Sequence, residues 1–485
     1  MQEIEENPMP TVFEPGPGPT LRRALRSRHL SMIALGGIIG AGLFVGSGAV
    51  IHTAGALAPV AYAVGGVVLV LVMRMLAEMA AALPSTGSFA DYARLALGNG
   101  AGFVIGWTYW YFWVVVVAFE ATAGAAIIGR ALPGVPLWVI AAAIMATMTA
   151  VNLLSVRSFG EAEFWFASIK VAAIVAFLTI AIAGVFDLLP DQRMHAVAVT
   201  ADGVMPAGVG GVLSALVVVV FSYFGAEIVT VAAAEANDPV RAVARAAVTV
   251  VWRVIIFYVG SVTLIVLLVP YTQVTTGESP FVTLLDGVGV PGASQAMQVV
   301  VLTAVLSVLN SGIYVSSRML FSLAARHEAP RVLAATSRRG TPVRAILLAT
   351  LAGWVSVGIA YAAPESVFTF LLNAAGGVAL LIYAAIAASQ IRLRKMIERE
   401  GGALPVRMWG YPYLSWLTVG LLVGIVVTML ILPDSREQLG LGLIAPAVFV
   451  AVHLVRRWRG TRARAVVDRG AVFPAAGSVE APVAE

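Results

Sequence analysis

Long apolar runs separated by short polar breaks occupy most of this chain. A helix needs about 20 mostly apolar residues to cross the hydrocarbon of a bilayer. Runs of that kind lie at approximately 31–55, 58–82, 98–131, 136–156, 162–186, 210–235, 243–270, 294–325, 342–361, 366–391, 412–432 and 439–457, twelve in all. The third and the eighth are long and are expected to tilt or to extend past the bilayer. The pattern predicts an all-α integral membrane protein with 12 transmembrane helices.

Composition strengthens that reading. Of 485 residues, 60% are hydrophobic and 12% charged, and the mean hydropathy is +0.91. Soluble domains carry about 25% charged residues, so the surplus apolar surface must face lipid. Cysteine is absent, which excludes disulfides and thiolate metal sites. The histidines His29, His52, His195, His327 and His453 are scattered, and no metal or other cofactor is expected. The polar first twenty residues contain PGPGP at Pro15 to Pro19, and the last stretch from Gly470 is small and polar. Both read as disordered tails, and the first lacks the pattern of a signal peptide.

Charge placement predicts orientation. With the N-terminus in the cytoplasm, only Arg130, Arg193 and Arg436 of the 31 basic residues fall outside, as the positive-inside rule requires. Both termini are then cytoplasmic. The same sorting accounts for the sequence pI near 9.6 through contact with anionic lipid, so nucleic acid is not an expected partner.

Two spans carry signs of interruption. The first holds six glycines between Gly36 and Gly48, each costing a helix about 1 kcal/mol relative to Ala. Small residues also let membrane helices pack closely, and Gly36 and Gly40 fit GxxxG. The crowding at Gly40, Ala41 and Gly42 predicts a local break, which membrane depth tolerates only where the freed peptide groups are buried or line a cavity. The sixth span reads Phe221-Ser222-Tyr223-Phe224-Gly225-Ala226-Glu227, with an ionisable group beside a glycine. Gly225 follows Gly40 by 185 residues, close to the length of a five-span block, and interrupted segments at matching places in two halves point to a transporter's binding site.

Three ionisable residues are placed at membrane depth: Glu120, Lys170 and Glu227. A charge there costs roughly 2.5–3.5 kcal/mol on insertion scales, so such groups commonly serve protons or ions. The structural alternatives are a carboxyl bonded to the broken helix for Glu227, a partner for another helix for Glu120, and snorkelling for Lys170. Arg74 and Glu78, four apart, are expected to pair. Glu235 and Asp238 are expected to close span six at the inner face, and Arg318 to extend to that interface. Trp107, Tyr109, Trp110, Tyr111 and Trp113 crowd span three as packing, lipid-facing or pocket residues.

The stretch from His29 to Gly48 with GGIIGAGLFVGSG, MRMLAEMAAALPSTGSFADYA from Met73 to Ala93, GEAEFWFASIK from Gly160 to Lys170 and the GAE–AAE pair around Glu227 and Glu235 resemble bacterial amino-acid permeases of the amino acid–polyamine–organocation superfamily. Within it, GAEIVTVAAAE, LNSGIYVSSRMLFSLAARHEAP and AIAASQIRLRK resemble the 4-aminobutyrate (GABA) branch. The resemblance implies a LeuT-type fold: a first five-helix repeat over 29–186, a second, inverted one over 210–391, and two additional helices over 412–457. Cytoplasmic tails over 1–28 and 465–485 complete the predicted organisation.

The resemblance further implies proton-coupled import of a small zwitterionic amino acid into the cell across its plasma membrane by alternating access. Backbone N–H groups near Ile39, Gly40, Ala41 and Gly42 are expected to hold the carboxylate. Carbonyls and rings near Phe221, Ser222, Tyr223 and Phe224 are expected to receive the ammonium. Proton coupling would fall to Lys170, Glu227 or Glu120, with Lys170 standing where sodium-coupled relatives hold an ion. Ala41 stands where many relatives carry a hydroxyl. The expected partners are an amino acid, protons and the lipid bilayer; the oligomeric state is not read from the sequence. Alanine, serine, glycine or proline as substrate, or exchange without a proton, stay as alternatives. No GxxxxGK[ST], HExxH or GxSxG motif is present, so an enzyme or an ATP-driven pump is disfavoured.

Overall fold

The computed structural model describes residues 25, 27–85, 87–189, 192, 194–195, 204–236, 238–275, 278–338, 340–362, 364–402 and 404–458. The two predicted tails and the position of Arg193 lie wholly or almost wholly outside them. Secondary structure among the described residues is helical apart from one isolated bridge, Leu25 to Ala236. In chain order the helices are α1 (Ser27–Gly36), α2 (Ala41–Phe44), α3 (Gly46–Ala54), α4 (Ala58–Ala82), α5 (Ser88–Leu97) and α6 (Asn99–Ala131). Next come α7 (Leu137–Leu154), α8 (Val156–Val185), α9 (Gly208–Ser222), α10 (Ile228–Ala233), α11 (Pro239–Arg253) and α12 (Ser261–Leu268). The last are α13 (Pro280–Gly287), α14 (Ala293–Ala325), α15 (Val343–Ala362), α16 (Pro364–Arg399), α17 (Tyr413–Ile431) and α18 (Pro433–Trp458). Nine helices among the described residues are long and apolar enough to cross a membrane.

Local chemistry sets the boundaries. Ser155 is extended and caps α8 by accepting from the Ser158 N–H at 3.0 Å, dividing α7 from α8. Asp238 caps α11 in the same way through the Arg241 N–H at 3.1 Å, with Pro239 in the first turn, where its missing N–H costs no bond. Gly98 turns α5 into α6 at φ +103°, a conformation open to glycine. Between α11 and α12, Val254–Gly260 winds as a π-helix, a local widening that recurs at functional sites.

The long helices α6 and α14 run together through the centre of the molecule, and α14 is buried over most of its length. The outer helices α8, α15, α17 and α18 expose large apolar side chains such as Trp165, Leu351, Val423 and Leu454. An exposed apolar surface of this extent fits lipid rather than water.

Several charges are placed differently from the sequence reading. Glu78 does not pair with Arg74. It accepts from Arg394 Nη1 at 2.8 Å, Gln390 Nε2 at 2.6 Å and the Met408 N–H at 2.6 Å, while Arg74 donates to the Arg407 carbonyl at 2.8 Å and lies over the Trp409 ring. Three donors, one of them a loop N–H, outcompete a neighbour one turn away, whose pairing gains only about 0.2–0.5 kcal/mol. Arg318 does not extend to the interface. It is buried, donates to Glu235 at 2.8 Å and lies over the Tyr314 ring, and Glu235 is fully buried with it. The same end of the molecule is tied by a bidentate Arg94–Glu328 pair at 2.6 and 2.8 Å and by Arg326–Asp91 at 2.5 Å. Burial holds the Glu328 carboxyl above the ordinary range, against the pull of Arg94.

Glu78 joins α4, α16 and the loop before α17, so its removal strands three donors. Glu78→Ala is expected to destabilise the detergent-solubilised protein by about 3–5 kcal/mol, the scale for breaking a buried pair. A thermal unfolding midpoint equal to that of the unmodified chain would remove Glu78 from this role.

Candidate functional site

Span one is interrupted. Helix α1 ends at Gly36, residues 37–40 turn, and α2 begins at Ala41. The break runs up to Gly40, the first residue of the Gly40–Gly42 cluster, which is extended at φ −137°, ψ −159° and caps α2. Span six is interrupted over residues 223–227, between α9 and α10. Gly225 there has φ +115°, and a Cβ on it would strike the Gly37 carbonyl oxygen. A Cβ on Gly37 would lie 2.8 Å from the Gly225 carbonyl oxygen, and one on Gly42 would lie 2.8 Å from Ser222 Cα. The glycines therefore let the two breaks pack backbone against backbone.

Side chains then satisfy the peptide groups that the breaks release. Lys170, fully buried on α8, donates to the Gly36 carbonyl at 2.6 Å, the Ile39 carbonyl at 2.9 Å and Ser307 Oγ at 2.8 Å. All three ammonium hydrogens are used. Tyr258, carried by the π-helical segment, donates to the Ile38 carbonyl at 2.7 Å, with the Ser222 carbonyl 3.2 Å away. Ser222 Oγ donates to the Gly42 carbonyl at 2.9 Å. Across the second break, Glu227 accepts the Gly225 N–H at 2.8 Å and the Tyr109 hydroxyl at 3.0 Å.

The eight backbone positions predicted for substrate are thus brought together, but not all are free. The Ile39 carbonyl is taken by Lys170, and Ser222 links the two breaks. The Tyr223 ring turns away to Tyr62 and Tyr258, its hydroxyl donating to the Tyr62 carbonyl at 2.7 Å. Phe224 packs on Phe112 at 4.2 Å and stacks with Tyr383 at 5.3 Å. The first N–H groups of α2, at Ala41 and Gly42, are those that helix geometry leaves without an intrahelical acceptor. Ala41 also borders a cavity of about 920 Å³ whose mouth carries Arg130, Glu278 and Asp286.

Of the predicted ionisable residues, Lys170 and Glu227 sit on the breaks. Glu120 is buried beside Gly40, where a Cβ would lie 3.8 Å from Glu120 Oε1, and its Oε2 has no hydrogen-bond partner among the described residues. Lys170 does not snorkel. Sequence reasoning missed three residues. Glu163, fully buried, accepts from Ser307 Oγ and lies 3.5 Å from Asn310 Nδ2. It stands seven positions before Lys170, a spacing that places two residues on one helix face. Tyr258 and Ser307 carried no signal of their own.

Residues 29–461 match the amino acid permease family. The chain is 45% identical over 451 residues to the gamma-aminobutyric acid permease of Bacillus subtilis (strain 168), covering 92% of this chain and 96% of that relative. It is 42% identical over 439 residues to the gamma-aminobutyric acid permease of Escherichia coli (strain K12), covering 90% and 94%. It is 44% identical over 424 residues to the aromatic amino acid transport protein AroP of Corynebacterium glutamicum, covering 86% and 91%. A family match over most of the chain, together with a helical, lipid-facing architecture, supports one conclusion: the chain belongs to the amino acid permease family, as a multi-pass membrane transporter and not an enzyme.

Proposed function

We propose that this chain imports 4-aminobutyrate, or another small zwitterionic amino acid, in symport with a proton by alternating access. The frame proposed for it is LeuT-type, with twelve spans: two inverted five-helix repeats over 29–186 and 210–391 and two further helices over 412–457. Both termini are proposed to be cytoplasmic, which makes the Arg130 end of the cavity the extracellular mouth. The substrate carboxylate is assigned to the N–H groups at Ala41 and Gly42 and the positive helix end behind them. The ammonium is assigned to carbonyls between Phe221 and Phe224, with Phe224 closing over it.

One observation carries this reading. Lys170 places a single ammonium on two carbonyls of the broken span and on Ser307 of α14. A positive charge that joins those elements can be withdrawn only by removing a proton. Protonation then controls how firmly the break is held, which is the linkage a proton symporter requires. The driving force is sufficient. One charge across 100 mV is worth about 2.3 kcal/mol and one pH unit about 1.4 kcal/mol. At ~150 mV and one pH unit a proton supplies about 4.8 kcal/mol, enough for a few thousandfold accumulation.

A second reading, uptake of an aromatic amino acid, is favoured by the 44% identity to the Corynebacterium glutamicum relative and by the rings of Phe112, Trp113, Phe224 and Tyr383 around the second break. Competition separates the two. In proteoliposomes, excess unlabelled 4-aminobutyrate is expected to suppress uptake of the labelled compound, and phenylalanine to leave it standing; uptake of labelled phenylalanine with none of labelled 4-aminobutyrate would replace the first reading with the second.

Lys170→Ala is expected to abolish accumulation driven by an imposed pH gradient and voltage. Unchanged accumulation would take Lys170 out of the coupling. Ala41→Ser adds a donor at the carboxylate end, and a hydrogen bond to a charged group contributes about 1.5–3 kcal/mol. KM for uptake is expected to fall by about tenfold or more, and a KM that does not move would place the carboxylate elsewhere.

A further inference from the structure

Lys170 is one end of a chain of groups whose other end has been given no role. Ser307 Oγ accepts from Lys170 Nζ at 2.8 Å and donates to Glu163 Oε1. The second Glu163 oxygen faces Asn310 Nδ2 at 3.5 Å, and Asn310 Oδ1 in turn accepts from Asn152 Nδ2 at 2.8 Å. Glu163, Lys170 and Ser307 are all fully buried. A hydroxyl has one hydrogen to give, so Ser307 is oriented from Lys170 toward Glu163. The Glu163 backbone lies about 10 Å along α8 from that of Lys170, from the seven-residue separation and the helical rise, while the two side-chain ends meet at Ser307. The displacement is toward the start of α8, where Glu161 pairs with Arg28.

We propose that Glu163 is the proton acceptor through which Lys170 discharges toward the cytoplasm, with Ser307 as the relay. This rests on the proton-coupled reading and on the orientation given above. In the step, an N–H bond of the Lys170 ammonium breaks and its proton passes to Ser307 Oγ. The Ser307 O–H bond breaks at the same time, and its proton forms an O–H bond on Glu163 Oε1. The ammonium and carboxylate become an amine and a carboxylic acid, so protons and charge balance within the triad.

The consequence reaches the broken helix. The neutral amine keeps two hydrogens for the Gly36 and Ile39 carbonyls and accepts from the reoriented Ser307 hydroxyl. Hydrogen bonds to an ionised group are roughly twice as strong as neutral ones, so the transfer loosens the clamp on span one. Other groups set the field around the relay. On α8 itself it is Lys170; from α14, Ser307 and Asn310; from α7, Asn152. Glu120 of α6 acts on Lys170, and His29 of α1 packs against Gly160, three residues before Glu163.

The role predicts a split between two activities. Exchange of internal for external substrate needs no proton release, because the loaded carrier only moves back and forth; net accumulation needs one release per cycle. In proteoliposomes with labelled 4-aminobutyrate, Glu163→Gln is expected to retain exchange and lose accumulation driven by pH gradient and voltage. Ser307→Ala should behave the same way, and Ser307→Thr, which keeps the hydroxyl, should retain both. Accumulation unchanged in Glu163→Gln overturns the proposal. So does loss of exchange together with accumulation in Glu163→Gln protein that folds, since that assigns Glu163 to substrate grip. Should Glu163→Gln not fold, the serine pair decides: equal behaviour of Ser307→Ala and Ser307→Thr overturns it. An unmodified chain that exchanges but never accumulates on a gradient defeats the proton-coupled reading itself, a result distinct from all of these.

Discussion

A peptide group inside a bilayer has no water to bond to, and leaving it unpaired costs several kcal/mol. Everything distinctive about this molecule follows from breaking two helices under that constraint. Interrupting span one between Gly36 and Ala41 frees carbonyls that must find donors within the protein. Lys170 takes those of Gly36 and Ile39, and Tyr258 takes that of Ile38. Neither donor is local: one comes from α8, the other from the π-helical turn before α12. The break therefore holds its shape only while distant helices hold theirs, which couples the centre of the fold to its periphery.

Donor and acceptor poles are treated unequally. The carbonyl side of the first break is bonded by protein groups, while Ala41, at the start of α2, lines the cavity. In the second break Glu227 accepts the Gly225 N–H, so the N–H side is occupied there instead. The two breaks thus differ in polarity: the first bonds side-chain donors to its carbonyls, the second bonds a carboxylate to an N–H. The proposed substrate, with a carboxylate at one end and an ammonium at the other, would meet a break of each kind. Close packing through Gly37, Gly42 and Gly225 is what brings the two breaks together, since a methyl at any of them would force the breaks apart.

Much of this was legible in the sequence, for identifiable reasons. Span limits follow from hydropathy because lipid selects for apolar length; the run read as 58–82 is the helix Ala58–Ala82. The breaks were legible from glycine density and from Glu227 beside Gly225. Their placement differed by a few residues, since the capping role of Gly40 depends on backbone angles that composition does not encode. Lys170 was legible because a lone cation in an apolar run is costly. Glu163 was not, since a carboxyl near the start of a run reads as an interfacial residue. Tyr258 and Ser307 are ordinary in their own helices, and only tertiary contact gives them meaning. The amphipathic helix α5 and the short α13 were missed because neither is long or apolar enough to register as a span. Spacing misled at Arg74 and Glu78, where a local pair lost to Arg394, Gln390 and a loop N–H.

The two ends of the molecule differ in how they are closed, and the difference bears on the cost of motion. One end holds an open cavity, while the other is tied by Arg94–Glu328, Arg326–Asp91 and Glu235–Arg318. The proposed alternating access requires the tied end to part. Separating apolar surfaces there would cost about 25 cal/mol for each Å² exposed to water. Ion pairs that hydrate as they separate recover most of what they lose, because exposed pairs contribute only about 0–1 kcal/mol. In Arg94–Glu328 and Arg326–Asp91 one partner of each pair is buried, and Glu328 and Arg326 are the members that water reaches first. Glu235–Arg318 lies deeper, fully buried and backed by the Tyr314 hydroxyl at 2.9 Å, and parts only once water has reached it. In the proposed cycle this closure of graded depth opens from Arg326 and Glu328 inward, and its innermost pair lies at the foot of the broken span six that the substrate is proposed to grip.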